Sequence, residues 1–297
     1  MLNTIYTQLK NTKGGKNADY IPELKKVNPK LYAISICTIT GEEYNIGAYQ
    51  TEVAIESCSK VFTLALALEK YGIRVLKQKI GSNTTLAKFD SIEATEKHIS
   101  HTLNSFYNGG AMATTSLLYE KNQKLFEKKI IDNMSTFAGH PLHVNSTIYQ
   151  SEISNADHNL ALAHLLKAYH RFYGEVHSTV EVYTRQCSAM VTSQDVARMA
   201  ATLANQGVHP LTRQKCLNPK YIHYILNHML ENGLYNESAE HFQSIGYPMK
   251  SGVGGIILMV IPGVMGIGIV SPPLNAAGNS VKGLKTARLI AETIVKI

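Results

Sequence analysis

The sequence predicts an α+β protein: an antiparallel sheet flanked by helices is built from both chain ends, and the middle of the chain forms a helical lobe. Three observations lead there. Strand-like alternation of apolar and polar residues lies near the N-terminus, a long apolar run with a turn at its centre lies near the C-terminus, and the residues between them repeat apolar positions at helical spacing. No Pro/Gly/Ser-rich linker, internal repeat or low-complexity tract interrupts the 297 residues. Residues 1–297 therefore read as one unit, with an α/β lobe from 1–72 and 191–297 and a helical lobe from 73–190.

In chain order, "KLYAISICTITGEEYNIGAYQ" alternates on either side of Thr40-Gly41-Glu42, the mark of a two-stranded hairpin. After Ser57, "SKVFTLALALEKYG" is apolar nearly all round and reaches Gly72, which reads as a buried helix with a glycine beyond its end. From about Ile73 to Met190 the period is mostly helical; "NADHNLALAHLLKAYHRF" opens on polar Asn155 and Asp157 and then repeats leucine and alanine. "TSQDVARMAATLANQGVHP" is a marked helix, with Thr192 or Ser193 as its cap, Gly207 beyond its end and Pro210 after that. Strand character is expected again from Phe242. "GGIILMVIPGVMGIGIV" is short for a membrane span and is broken by Pro262-Gly263, so it reads as a buried hairpin, followed by a last helix through "LKTARLIAETIVKI".

Composition narrows the partners. A hydrophobic fraction of 44% supplies an ordinary core and argues against disorder. The formal charge of +7 raises nucleic acid and anionic membranes as partners, yet the lysines are dispersed, with only short clusters such as Lys25-Lys26 and Lys128-Lys129 and no basic stripe interleaved with aromatics. A solvated basic surface is expected, with neither nucleic acid nor membrane as partner. His158, His164, His170 and His177 lie six or seven apart, which is not the i,i+4 spacing of a helical zinc motif. Cys37, Cys58, Cys187 and Cys216 form no CxxC pair and sit among apolar neighbours, which suits reduced thiols in a cytoplasm. "MLNTIYTQLKNTKGGKN" has no apolar core or cleavage site of a secretory signal, so the mature chain is read as starting here.

The chemistry centres on "ESCSKVF", Glu56 to Phe62. A serine hydroxyl becomes a nucleophile only when a base takes its proton, and a lysine can do so only if burial or a positive field lowers its pKa. On a helix Ser57 and Lys60 share a face, the apolar surroundings desolvate the amine, and the helix N-terminus offers N–H groups to an oxyanion. The plainer reading is a helix cap and a lysine that reaches solvent. What shifts the balance is a K-[ST]-G element, Lys250-Ser251-Gly252, at the start of the C-terminal hairpin: S-x-x-K followed by K-[ST]-G is the motif order of the penicillin-recognising serine enzymes.

Further segments are more specific. "GKNADYIPEL", "ESCSKVFTLALALEKYG", "NSFYNGGAMAT", "YQSEISNADHNLALA", "VYTRQCS", "ATLANQGVHP", "GLYNESAEH", "KSGVGG" and "SPPLNAAGNSVKG" follow one another in register. In these the chain resembles the serine-dependent glutaminases, whose catalytic domain has the β-lactamase-like fold, through nearly its whole length. The resemblance implies Ser57 as the acyl-accepting nucleophile, Lys60 as its proton acceptor, Tyr183 and Tyr235 as phenols that relay protons near it, and the backbone N–H groups of Ser57 and Val253 as oxyanion hole. It implies Tyr20, Glu56, Asn108, Glu152 and Asn159 as substrate-binding positions, joined by Tyr183, Tyr235 and Val253. These types suit an amino acid: the Glu152 carboxylate for an α-ammonium, amide and phenol donors for an α-carboxylate. The implied reaction is hydrolysis of the L-glutamine side-chain amide to L-glutamate and ammonia, with no metal or organic cofactor, in a homo-oligomer that is a dimer or tetramer.

Three departures from the family pattern stand out. Glu56 occupies the position of a family glutamine, and an ionised carboxylate cannot donate a hydrogen bond, repels an α-carboxylate and raises the pKa of a neighbouring lysine. Asn83-Thr84-Thr85-Leu86 replaces the family's E-P-S-G stretch, and Ile256 stands where a third glycine is usual. Two alternatives follow from the first: a Ser/Lys amidohydrolase for another amide or γ-glutamyl compound, or a silent binding protein that keeps the fold. "NSFYNGG" in place of an S-D-N-like element argues against β-lactams.

Overall fold

The structure is a computed structural model and describes residues 1–294. The first chain segment gives α1 (Leu2–Leu9), α2 (Pro22–Lys26), the hairpin strands β1 (Ala33–Thr38) and β2 (Glu43–Gly47), β3 (Val53–Ala54) and α3 (Ser59–Lys79). The middle gives α4 (Ile92–Lys97), α5 (Asn108–Leu117), α6 (Gln123–Ala138), α7 (Ser146–Ser154), α8 (Asp157–Ala168) and α9 (Val176–Cys187). The last part gives β4 (Met190–Val191), α10 (Ser193–Ala204), α11 (Ile222–Asn232), α12 (Ser238–Ile245), β5 (Met249–Gly252), β6 (Ile256–Ile261), β7 (Met265–Val270) and α13 (Val281–Ile294).

Both expected hairpins form, and β7 pairs with β1 to give one antiparallel sheet in the order β2-β1-β7-β6-β5, closed by strands from the two chain ends. Alternation explains why its central strands are apolar throughout: Ile257, Met259 and Ile261 face one layer while Ile256, Leu258 and Val260 face the other. The first layer holds α1, α12 and α13, with Ile5, Leu9, Ile245, Ala287 and Ile290 in the same cluster. On the opposite face α10 lies directly on β7. A Cβ at Gly266 would stand 2.0 Å from Ala201 N and one at Gly268 2.1 Å from Ser193 O, so only glycines permit this approach. Beyond α10, the core runs without a break into the middle helices, joining Ala33 and Leu258 to Phe126, Leu166 and Val180.

Thr192 is the cap of α10, and with Asp195 it completes a reciprocal capping box. Three expectations need correction. Ser57 stands in a short 3₁₀ turn, Glu56–Cys58, and the helix beginning at Ser59 does not end at Gly72. Gly72 takes φ 76° and ψ 167°, a break only glycine accepts cheaply, after which "IRVLKQK" resumes the helix to Lys79. Phe242 lies in α12 rather than in a strand; strand pairing starts at Met249, after the left-handed cap at Gly246. The polar-looking N-terminus forms α1, because Ile5 and Leu9, four apart, bury one face and Tyr6 stacks on Tyr32 at 4.8 Å. The last helix starts at Val281, and its expected end at 295–297 lies outside the described residues.

Candidate active site

β3 and β4 pair to bring the chain entering Ser57 beside the end of the helical lobe, with Val53 opposite Val191. The next residues turn sharply: Glu56 has φ 50°, a left-handed conformation that costs a non-glycine residue about 1–3 kcal/mol. The turn is held from several sides. The Ser59 hydroxyl donates to Glu56 O at 2.7 Å and accepts from Gln186 Nε2, while Cys58 Sγ donates to Lys250 O at 3.3 Å. β5 presses against the turn through residues without side chains. A Cβ at Gly252 would lie 2.7 Å from Ile55 O and one at Gly254 2.5 Å from Ala54 O. The glycines of "KSGVGG" therefore place Val253 next to Ser57. Neither the Ser57 N–H nor the Val253 N–H has a backbone partner in the surrounding turns.

Lys60, the second residue of the buried helix, is 1% exposed. Its Nζ donates to Asn108 Oδ1 at 2.6 Å and to Phe106 O at 3.1 Å, and these acceptors rather than Ser57 are its hydrogen-bond partners. The Tyr183 and Tyr235 rings each stand 5.9 Å from it. Burial draws its pKa down to about 8, against weaker upward pulls from Cys187, Glu56 and Asp90. Tyr235, at φ 58° in another strained turn, sets its phenol against the Ser57 hydroxyl; burial raises the phenol's pKa and that contact opposes the rise. Lys250 lies beneath the Tyr235 ring, with Nζ 4.1 Å from its centroid and donating to Ser251 O at 2.7 Å. Complete burial holds its pKa well below the ordinary lysine value.

These groups open into a cavity of roughly 340 Å³, lined by Tyr20, Glu56, Ser57, Asn108, Glu152, Asn159, Tyr183 and Val253 among others. The Tyr20 hydroxyl donates to Glu152 Oε1 at 2.7 Å. Tyr183 donates to Asn108 Oδ1 at 3.3 Å, and Asn108 donates in turn to Asn159 Oδ1 at 3.4 Å. Eight of the ten residues named from the sequence thus line one cavity, and Lys60 and Tyr235 lie in contact beneath it. The structure adds a wall that the sequence did not disclose: Lys88, Phe89 and Asp90 also line the cavity, with Phe89 packed on Tyr235 at 5.0 Å. Phe89 O accepts from the Asn108 N–H at 2.8 Å, and Asp90 O meets His158 Nε2 at 2.6 Å. The one signal was their place in "GSNTTLAKFDS", the stretch that departs from the family pattern.

Among the described residues, no group of three or more His, Cys, Asp or Glu side chains is placed to hold a metal ion. The sheet shared by both chain ends, the helical lobe and the Ser/Lys turn between them define the class: a β-lactamase-like protein. Comparison with known proteins gives the narrower placement. The glutaminase family profile matches residues 15–296. The glutaminase of Colwellia psychrerythraea is 41% identical over 294 residues, which are 99% of this chain and 94% of the relative. A solved probable glutaminase, ybaS, superposes with a TM-score of 0.97 at 41% identity, covering 99% of this chain and 95% of the other. Mglu, solved in a glutamate form, gives a TM-score of 0.93 at 33% identity over 98% of this chain and 67% of its own. The chain belongs to the glutaminase family.

Proposed function

We propose that this chain is a glutaminase that hydrolyses the side-chain amide of L-glutamine through an acyl-enzyme on Ser57. The observation that carries the reading is the hydrogen bonding of Lys60. A neutral amine has two N–H bonds and one lone pair; Asn108 Oδ1 and Phe106 O take the two N–H bonds, which leaves the lone pair for the Ser57 proton. Ser57 Oγ then attacks the carboxamide carbon, and the carbonyl oxygen becomes an oxyanion received by the N–H groups of Ser57 and Val253. The C–N bond breaks, the proton passes to nitrogen through Lys60 and Tyr235, and ammonia leaves. Water hydrolyses the glutamyl ester by the reverse proton path, releasing L-glutamate and Ser57.

The amino-acid end of the substrate meets Glu152, whose carboxylate pairs with the α-ammonium while accepting the Tyr20 hydroxyl, and the amide donors Asn108 and Asn159, which hold the α-carboxylate. The glutamate form of Mglu supports a pocket of this family that accepts the product. The protein works in the cytoplasm as a homo-oligomer, either a dimer or a tetramer. Four unpaired cysteines fit a reducing compartment, and the family resemblance supports the oligomer. Among the described residues no helix is long and apolar enough to cross a membrane.

The test is purified protein incubated with L-glutamine while ammonia is measured. Release by the wild type and its loss in Ser57→Ala is the expected outcome; undiminished release by Ser57→Ala removes the mechanism.

A further inference from the structure

Glu56 is the residue for which neither the family pattern nor the reaction accounts. It is 4% exposed and lines the substrate cavity, and its Oε1 is buried without a hydrogen-bond partner. Its side chain is pinned by the left-handed backbone at φ 50° and by the backs of Gly252 and Gly254, where added Cβ atoms would lie 3.4 Å from its Cβ and 3.6 Å from its Cγ.

The titratable groups that face it do not offset a negative charge. Glu152 comes from α7, Tyr183 and Cys187 from α9, Tyr20 from the N-terminal segment, Tyr235 from its own turn and Cys58 from the same 3₁₀ turn as Glu56. Burial holds the Tyr183 and Tyr235 phenols and both thiols in their neutral forms, and the Tyr20 hydroxyl keeps its proton as donor to Glu152. Lys88 and Asp90 share the far wall of the cavity and form an ion pair with each other at 3.4 Å. The cation that acts on it is Lys60, whose Nζ donates to Phe106 O and Asn108 Oδ1 rather than to Glu56. Glu56 and Glu152 are thus two carboxyl groups in one pocket, and two such groups do not both ionise freely. They are unequal: burial raises the pKa of both, but for Glu152 the Tyr20 hydroxyl it accepts opposes the rise, whereas Glu56 Oε1 receives nothing.

We infer that Glu56 acts as a neutral carboxylic acid, so that the Glu56–Glu152 pair binds an amino acid by holding a single proton. Glu152, ionised, receives the α-ammonium; Glu56, protonated, donates to the α-carboxylate as the amide of glutamine would at that position. The same proton keeps a negative charge away from Lys60, which lets the lysine remain a base. Burial and the charge of Glu152 both raise the Glu56 pKa, and Lys60 lowers it by less. The inference rests on the reading of this cavity as the glutamine site. It makes Glu56 a specificity-determining residue whose ionisation at higher pH removes a donor and introduces repulsion.

The experiment compares KM and kcat/KM for glutamine between about pH 5 and about pH 9.5 in the wild type and Glu56→Gln, with Ser57→Ala as control. In the wild type KM rises about tenfold per pH unit once Glu56 ionises, and in Glu56→Gln that rise is absent because the amide cannot ionise. An identical KM rise in both proteins overturns the inference while leaving the serine mechanism standing. Activity that survives in Ser57→Ala overturns the site reading itself. Infrared titration of the wild type provides a measurement that does not depend on the variant folding: a protonated-carboxyl band that persists above the ordinary glutamate range is expected, and its disappearance within that range overturns the inference.

Discussion

Lys60 is enclosed by Phe106, Asn108 and two tyrosine rings, and its desolvation is what turns an ordinary ammonium into a usable base. The sign of the pH dependence follows. With a pKa of about 8 in the free protein, the neutral form gains population as pH rises, so kcat/KM has an acid arm that climbs through about pH 8. Lys60→Ala removes the proton acceptor, and kcat for ammonia release should fall by about 10²–10⁴-fold with the acid arm lost; a variant that keeps the arm would assign it to another group. Stability responds in the same direction. The folded pKa lies below that of an unfolded lysine, near 10.4, so the unfolded chain binds more protons between the two values and stability rises with pH across that window. At this scale much was legible in the sequence. S-x-x-K pointed to Ser57 and Lys60, and Lys250-Ser251-Gly252 with the family segments tipped the balance toward them, whereas Tyr183, Tyr235 and Val253 come from distant segments and were named through family resemblance alone. Phe89 and Asp90 escaped, since the wall they build depends on a loop folding back onto Asn108 and His158.

At the scale of elements, the site depends on how closely β5 approaches the turn that carries Ser57. Gly252→Ala places a methyl 2.7 Å from Ile55 O, a backbone atom that cannot swing aside. The change should cost about 1–3 kcal/mol and displace both the nucleophile and the Val253 N–H, with kcat falling more than stability alone explains. Thr192→Ala provides the contrast. It breaks the capping box of α10, away from the cavity, and should lower unfolding free energy by about 1 kcal/mol while kcat stays unchanged. Denaturant unfolding and steady-state kinetics on the two variants separate these outcomes. Hairpins and capped helices were readable because their signals are local: Thr40-Gly41-Glu42, Pro262-Gly263 and Thr192 each act within a few residues. The segment around Phe242 was misread because an exposed aromatic in a short amphipathic helix resembles one step of strand alternation, and only the Gly246 cap marks the boundary. Gly72 was misread for the opposite reason, since a glycine that interrupts a helix looks the same in sequence as one that ends it.

For the whole molecule, the two lobes share a core: Ala33 and Leu258 of the sheet belong to the same cluster as Phe126 and Leu166 of the middle helices. We propose on that basis that the chain unfolds as one unit, and calorimetry should show a single transition; two resolved transitions would divide it into independent domains. The arrangement also explains why reactive groups collect at the lobe junction. The sheet side supplies Val253, the helical lobe supplies Asn108, Glu152, Asn159 and Tyr183, and the turn before α3 delivers Ser57 between them. What the sequence left out is this convergence itself, because segments as distant as those of Tyr20 and Val253 are brought together by pairings such as β1–β7 and the β3–β4 clasp. The account stands or falls on a covalent intermediate at that junction. Rapid acid quench of the enzyme during glutamine turnover, followed by peptide mass spectrometry, should find a glutamyl group esterified to Ser57 and no such adduct in Ser57→Ala; a glutamyl adduct on another residue, with ammonia release intact in Ser57→Ala, would contradict it.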